Sequence, residues 1–275
     1  MSARRAASQG VALIAVLWIV VALGISVMGL TRVVRDETRT AASQASRLKA
    51  TAIGDAAILQ VLQQLQASGK TSLRNSEAFG IQFGGQAIDV EVMPSNGLIN
   101  LQMAPASLLR DLFVHAGGLD ASAAQVLADS VVAWRDRPDR FGQPAGIDAP
   151  EELLQIGGFP FETYDRIRML VHCSSDGAGV NPQAAPAPVL AVLLGAQAGR
   201  VASVIASRQS ATPDFSAMPP AHLDNGPSSR LILVARVRIE DGGTIMRSAT
   251  VQMAVGSRTL PWRVIQTRDL SVPPI

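Results

Sequence analysis

Cysteine is almost missing from this 275-residue chain, in which only Cys173 occurs. A single thiol cannot close an intramolecular disulfide and cannot build a cysteine-based metal cluster. Stability must come from a hydrophobic core, and a chain of this length can bury one. Aromatic residues are also scarce, at 4 %, which argues against platforms for stacking nucleic-acid bases. The 24 basic and 22 acidic residues nearly cancel. They form no basic stripe of the kind that follows a phosphate backbone. Only three histidines occur, His115, His172 and His222. The P-loop, Gly-x-Ser-x-Gly, His-Glu-x-x-His and dinucleotide fingerprints are all missing. Cys173 follows the apolar "MLVH" and reads as a buried thiol rather than a nucleophile. These absences lead to the expectation of a non-enzymatic protein with no resident cofactor.

What is plentiful is apolar sequence near the N-terminus. Residues 11–30, "VALIAVLWIVVALGISVMGL", are apolar except for glycine and Ser26. As a helix this run spans about 30 Å, the thickness of a hydrocarbon core. A cleaved secretion signal has a shorter apolar region and a small-x-small cut site. Here the run ends in "TRVVRDETR", so it reads as a retained transmembrane anchor. Arg4 and Arg5 precede it, and Arg32, Arg35 and Arg39 follow. Counted against one another, these charges leave the orientation open. Beyond Leu30, Ala41, Ala45, Leu48, Ala52, Ala56, Leu59 and Leu62 recur at spacings of three and four, one stripe of an amphipathic helix over 31–68. No proline interrupts residues 11–66, and Gly69 is placed to end the helix. The alternative is two helices with a bend near Gly54.

The next signals are strands. "AIDVEVM" alternates Ile88, Val90 and Val92 with Asp89 and Glu91. "PSNG" is a turn after which Leu98–Leu101 could pair back as a hairpin. "RLILVARVRIE", "TIMRSATVQMAV" and "WRVIQT" form a second set near the C-terminus, the first two joined by "DGG". One antiparallel sheet from 80–103 and 225–275 is expected. The stretch 104–210 reads instead as an inserted α-helical domain. Asp120 caps a helix to about Arg135, and Asp148 with Glu151 has capping-box spacing around Pro150. Pro160 starts "FETYDRIRMLV", and Pro186 or Pro188 starts "VLAVLL". The fold class is therefore α+β.

The helical block repeats itself. "INLQMAPASLL" at 99–109 matches "VNPQAAPAPVL" at 180–190. After each comes a glycine-bearing link and a helix ending in arginine, "VVAWR" and "VIASR". Each unit reads as an asparagine turn, a proline-started helix, a loop and a second helix, similar to helix-hairpin-helix elements. Such elements often hold DNA phosphate, and "IGGF" at 156–159 could be such a hairpin, but its flanks are poorly basic. Asp136 and Asp139 in "RDRPDRF" could offer oxygen ligands to calcium. The fixed spacing of a calcium loop is missing, and Arg135, Arg137 and Arg140 favour a solvated ion-pair cluster.

The leader ending in Gly10, the apolar helix "QGVALIAVLWIVVAL" and its amphipathic continuation resemble a type IV pilin-like precursor. With "GLINLQMAPASLL", "LADSVVAWRD", "EELLQIGGFPFETYDRIR", "VNPQAAPAPVL" and a final "LPWRVIQTRD", the chain is similar to the minor pseudopilin K family of bacterial type II secretion systems. The resemblance implies a pilin-like fold, a leader 1–10 removed by prepilin peptidase between Gly10 and Val11, and N-methylation of Val11. It implies a single pass through the bacterial inner membrane, with the N-terminus cytoplasmic and the soluble domain periplasmic. Most pilin-like proteins carry glutamate at the fifth mature position, where this chain has Ala15; its absence is typical of the K family and fits a subunit at a fibre tip. The implied partners are pseudopilins I and J, other pseudopilins and the inner-membrane assembly platform. The implied role is to cap or initiate a periplasmic pseudopilus that supports protein export. A minor pilin of a type IV pilus and a membrane-anchored DNA-binding module are the alternatives. One departure stands out: "RDRPDRFGQPAGIDAPEELL" is compact where the family has a longer acidic, tyrosine-containing loop.

Overall fold

The computed structural model describes residues 3–208, 210, 212–239, 243–253 and 261–271, with the α1 side chains described at 16–21 and from 37 onward. The first element is one helix, α1, Ala3–Ala67. At 1.5 Å per residue its 65 residues extend about 98 Å. There is no break at Gly54. The helix ends at Gly69, whose φ of 70° is the left-handed conformation glycine adopts without strain. Lys70 N then donates to Leu65 O at 2.9 Å.

A five-stranded antiparallel sheet follows, in the order β1–β2–β5–β6–β7. Its strands are β1 Glu77–Phe83, β2 Gln86–Pro94, β5 Arg230–Arg238, β6 Thr244–Met253 and β7 Trp262–Ser271. Alternation decides which face is buried. Ile88, Val90 and Val92 of β2, with Leu231, Leu233, Ala235 and Val237 of β5, point to the α1 side and are buried. Asp89 points the other way and is exposed.

The stretch between β2 and β5 contains α2 Ala106–His115, α3 Ala121–Asp136, a 3-10 helix Pro150–Gln155, α4 Phe161–Ile167, α5 Ala187–Leu193 and α6 Ala198–Ser207. Both of its ends leave from neighbouring points, because Pro94 pairs with Leu231. It has its own core, including Leu108, Leu109, Leu112, Phe113, Val131, Ile167 and Leu190. Met93 and Ile232 pack against that core from the sheet. The α+β class expected from the sequence is the class observed.

Several expectations are corrected. The α1 face that meets the sheet is Ala50, Ile53, Ala57, Ile58, Val61, Leu62 and Leu65; of the stripe from Ala41 to Leu62, only Leu62 belongs to it. Residues 98–101 do not fold back on β2. Instead β3, Ile99–Asn100, runs parallel to β4, Val171–His172. The helical block is thus not purely helical, and α4 stops at Ile167 so that the chain can reach β4. Strand β1 was not anticipated, because "EAFGIQF" alternates only weakly, and β7 continues past "WRVIQT" to Ser271. The capping glutamate near Pro150 is Glu152, whose Oε1 accepts from Asp148 N and Ala149 N; the Asp148–Glu151 pairing is not formed.

At Gly54 α1 lies close against the sheet. A Cβ built there would lie 2.7 Å from Arg247 Cβ. Beside it, Arg247 donates to Asp55 at 2.7 and 3.2 Å and to Asp269 of β7 at 2.9 Å. The Gly54→Ala chain is expected to lose about 1–3 kcal/mol of stability, because the Arg247 Cβ cannot swing aside. Gly80→Ala, with nothing within 4 Å, should be near neutral. Thermal melting of the full chain checks the contrast.

Candidate assembly surface and the duplicated insertion

Packing one face of α1 on the sheet turns another face outward. Leu48 is 72 % exposed and Leu59 46 % exposed. Ala41, Ala45 and Ala52 lie on the same stripe and are also exposed. Closer to the N-terminus, Val16 to Val21 are exposed apolar side chains. Ala41, Ala45, Leu48, Ala52 and Leu59 form an apolar stripe on the side of α1 away from the sheet. Among the described residues, no single helix is long and apolar enough to cross a membrane. Most of the apolar run 11–30 lies outside the residues whose side chains are described. The same holds for Gly10, Val11 and Ala15. The backbone of α1 is helical through all three.

The sequence repeat is a structural duplication. In the first unit, Asn100 Oδ1 accepts from Gln102 N at 3.1 Å and Asn100 O accepts from Ala104 N at 2.8 Å. In the second, Asn181 Oδ1 accepts from Gln183 N at 3.0 Å and Asn181 O accepts from Ala185 N at 3.0 Å. Pro105 and Pro186 then cap α2 and α5. Pro186, not Pro188, therefore starts α5. The closing arginines behave alike. Arg135 donates to Leu101 O and Ala104 O, and Arg208 donates to the equivalent Pro182 O and Ala185 O. Each unit begins with a parallel bridge to a returning segment, Ile99 to Val171 of β4 and Val180 to Leu223.

The asparagine amides point outward from the units and tie down other segments. Asn100 Nδ2 donates to the carbonyls of Ser174, Asp176 and Gly177. Asn181 Nδ2 donates to Arg74 O at 2.7 Å, joining the insertion to the link between α1 and β1.

The "IGGF" turn joins the 3-10 helix to α4 and seats Phe159 edge-on against Phe113, with ring centroids 5.5 Å apart. Nearby arginines are paired with acids, Arg166 with Glu162, Arg168 with Asp165 and Arg268 with Glu151. Asp136 and Asp139 are not brought together as ligands. Asp136 pairs with Arg135, while Asp139 Oδ1 accepts from Phe141 N and Gln143 N to close its own turn. Among the described residues, no group of three or more His, Cys, Asp or Glu side chains could hold a metal ion.

Burial, reinforced by Glu152, Glu151 and Asp148, pushes the Cys173 thiol up to about 12. It is therefore not a thiolate nucleophile at neutral pH. His172 goes the other way. Burial, with Arg230 adding to it, holds its imidazole at about 3. No family model matches this chain, and no curated protein matches it.

Two outcomes follow. Arg135→Ala and Arg208→Ala each strip the donor from two carbonyls and are expected to cost about 1.5–3 kcal/mol, with lysine restoring only part; thermal melting measures both. His172 stays neutral in the fold while the unfolded chain protonates it below about pH 6.5. Its contribution is complete above that pH and falls by up to about 1.4 kcal/mol per unit on acidification toward the folded value. His172→Gln should flatten the loss of melting temperature between neutral pH and pH 4.5.

Proposed function

We propose that this chain is a non-enzymatic minor pseudopilin of a type II secretion system, a subunit that caps or initiates the tip of a periplasmic pseudopilus. The observation that carries the reading is the two-sidedness of α1. Ala50, Ile53, Ala57, Ile58, Val61, Leu62 and Leu65 are committed to the sheet, while Ala41, Ala45, Leu48, Ala52 and Leu59 face outward as an apolar stripe. A long helix with its C-terminal third packed on an antiparallel sheet and a second apolar face free suits side-by-side packing with helices of like subunits.

The remaining features fit this reading. The apolar run 11–30 serves as the inner-membrane anchor, with Arg4 and Arg5 in a cytoplasmic leader. Ala15 in place of a glutamate removes a carboxylate that would be costly in hydrocarbon without a partner. A subunit without it has no acid to offer a neighbour's N-terminal amine, which suits the last position in a fibre. The insertion between β2 and β5 adds bulk to one end of the sheet, where it would hinder further stacking. The expected partners are pseudopilins I and J and the assembly platform.

The deciding measurement is the mass of the mature N-terminus after co-expression with a prepilin peptidase. A polypeptide beginning at methylated Val11 is expected. A chain that retains Met1, or is cut beyond Leu30, would overturn the proposal.

A further inference from the structure

The two edges of the sheet are built differently. β7 is the outer strand on one side and β1 on the other. The β7 edge carries features that discourage a further strand. Its register slips opposite Thr250 and Val251, which leaves Ile265 as a bulge between Val264 and Gln266, and Arg263, Arg268 and Asp269 stand along it. β1 has none of these devices among the described residues. Its 7 residues pair with β2 without a slip, and from Ala78 to Phe83 it contains no charge and no proline.

The hairpin turn fixes which backbone groups of β1 are free. Gly84 and Gly85, with φ of 61° and 80°, form a two-residue turn that closes on the pair Phe83 and Gln86. Phe83, Ile81 and Phe79 therefore direct their N–H and C=O groups to β2, while Ala78, Gly80 and Gln82 direct theirs away from the sheet. These three residues are exposed, and among the described residues no other segment pairs with their outward groups. The side chains beside the edge differ by face. On the α1 side, Ile81 is buried, Phe79 half-buried and Phe83 43 % exposed. On the opposite side the small Ala78 and Gly80 stand in front of Glu91 and Asp89 of β2. Glu91 is paired with Arg236, whereas Asp89 is exposed and makes no ion pair among the described residues.

We propose that β1 is a docking edge for an extended segment of a partner protein, one that alternates apolar and basic residues and adds a strand to the sheet. The backbone of that segment completes the outward N–H and C=O groups of Ala78, Gly80 and Gln82. Its apolar residues cover Phe79 and Phe83, and its lysine or arginine side chains reach over Ala78 and Gly80 toward Glu91 and Asp89. A second copy of this chain is a poorer match, because its β1 is uncharged from Ala78 to Phe83 and it brings only another Asp89 and Glu91 to that face. The edge is separate from the outward stripe of α1, so the inference does not rest on the assembly proposed above.

The test is hydrogen exchange of the full chain, read by NMR at the β1 amides, with a capped peptide of alternating lysine and valine that matches the 7 residues of β1. In the free chain the amides of Ala78, Gly80 and Gln82 are expected to exchange faster than those of Phe79, Ile81 and Phe83. Saturating peptide should slow the first set by about tenfold or more. The same peptide with every backbone nitrogen methylated should bind roughly tenfold more weakly or not at all. Gly80→Pro removes one outward N–H at a position an edge strand tolerates, so it should fold yet lose the peptide. A peptide of alternating glutamate and valine should bind more weakly than the lysine peptide, and Asp89→Asn should narrow that difference. No slowed exchange at β1, slowed exchange at β7 instead, or equal binding of the methylated peptide would overturn the proposal. Equal binding of the glutamate peptide would overturn the basic character of the guest. Protection of β1 that grows with protein concentration in the absence of peptide would assign the edge to a second copy and overturn the assignment to a partner.

Discussion

The contact between α1 and the sheet at Gly54 organises the rest of the molecule. Without a side chain at that position, the helix backbone lies against Arg247 of β6. The helix can then bury Ala50, Ile53, Ala57, Ile58, Val61, Leu62 and Leu65 on one side of the strands. At about 1.5–3 kcal/mol for each large apolar side chain, this face supplies much of the cohesion between helix and sheet. Arg247, 14 % exposed, adds direction by joining Asp55 of the helix to Asp269 of the edge strand. Once that face is assigned, Ala41, Ala45, Leu48, Ala52 and Leu59 are left on the outward side of α1.

The insertion solves a different problem. It hangs from two neighbouring strands, so its ends need no separate closure, and its core is distinct from the one beneath α1. Duplicating a small unit is a simple way to build such a core. Each copy satisfies its turn carbonyls with the arginine of its own second helix, and each uses its asparagine amide to hold a segment outside the unit. The first copy differs by carrying the hairpin between α3 and β4, which adds Phe159 and Ile167 to the shared core. On the proposed reading, the helix–sheet module serves assembly along a fibre, and the insertion gives the subunit its distinct end.

Much of this was legible before folding. Alternation in "AIDVEVM" and "RLILVARVRIE" identified β2 and β5, because a half-buried strand shows its two faces directly in sequence. Asp120, Pro160 and Gly69 marked element ends for local reasons of hydrogen bonding and backbone conformation. The repeat was visible as matched residues, although the roles of Arg135 and Arg208 emerged only when their carbonyl partners lay beside them. The helix stripe identified a helix but not its buried side. Ala41, Ala45, Leu48, Ala52, Ala56, Leu59 and Leu62 share one face by spacing, yet α1 has enough alanine and leucine for two such faces. Spacing could not say which of them meets the sheet.

By itself the sequence determined the α+β class, helix over the N-terminal stretch, the main strands and the duplicated unit, since each rests on short-range periodicity or on turn chemistry within a few residues. The tertiary structure alone decided which α1 face is buried and that Ile99–Asn100 pairs with Val171–His172. Those outcomes depend on groups as many as 192 positions apart, Asp55 to Arg247, meeting in space. Such meetings are set by how the two cores pack and by where close backbone approach is allowed, as at Gly54, and no local pattern encodes them.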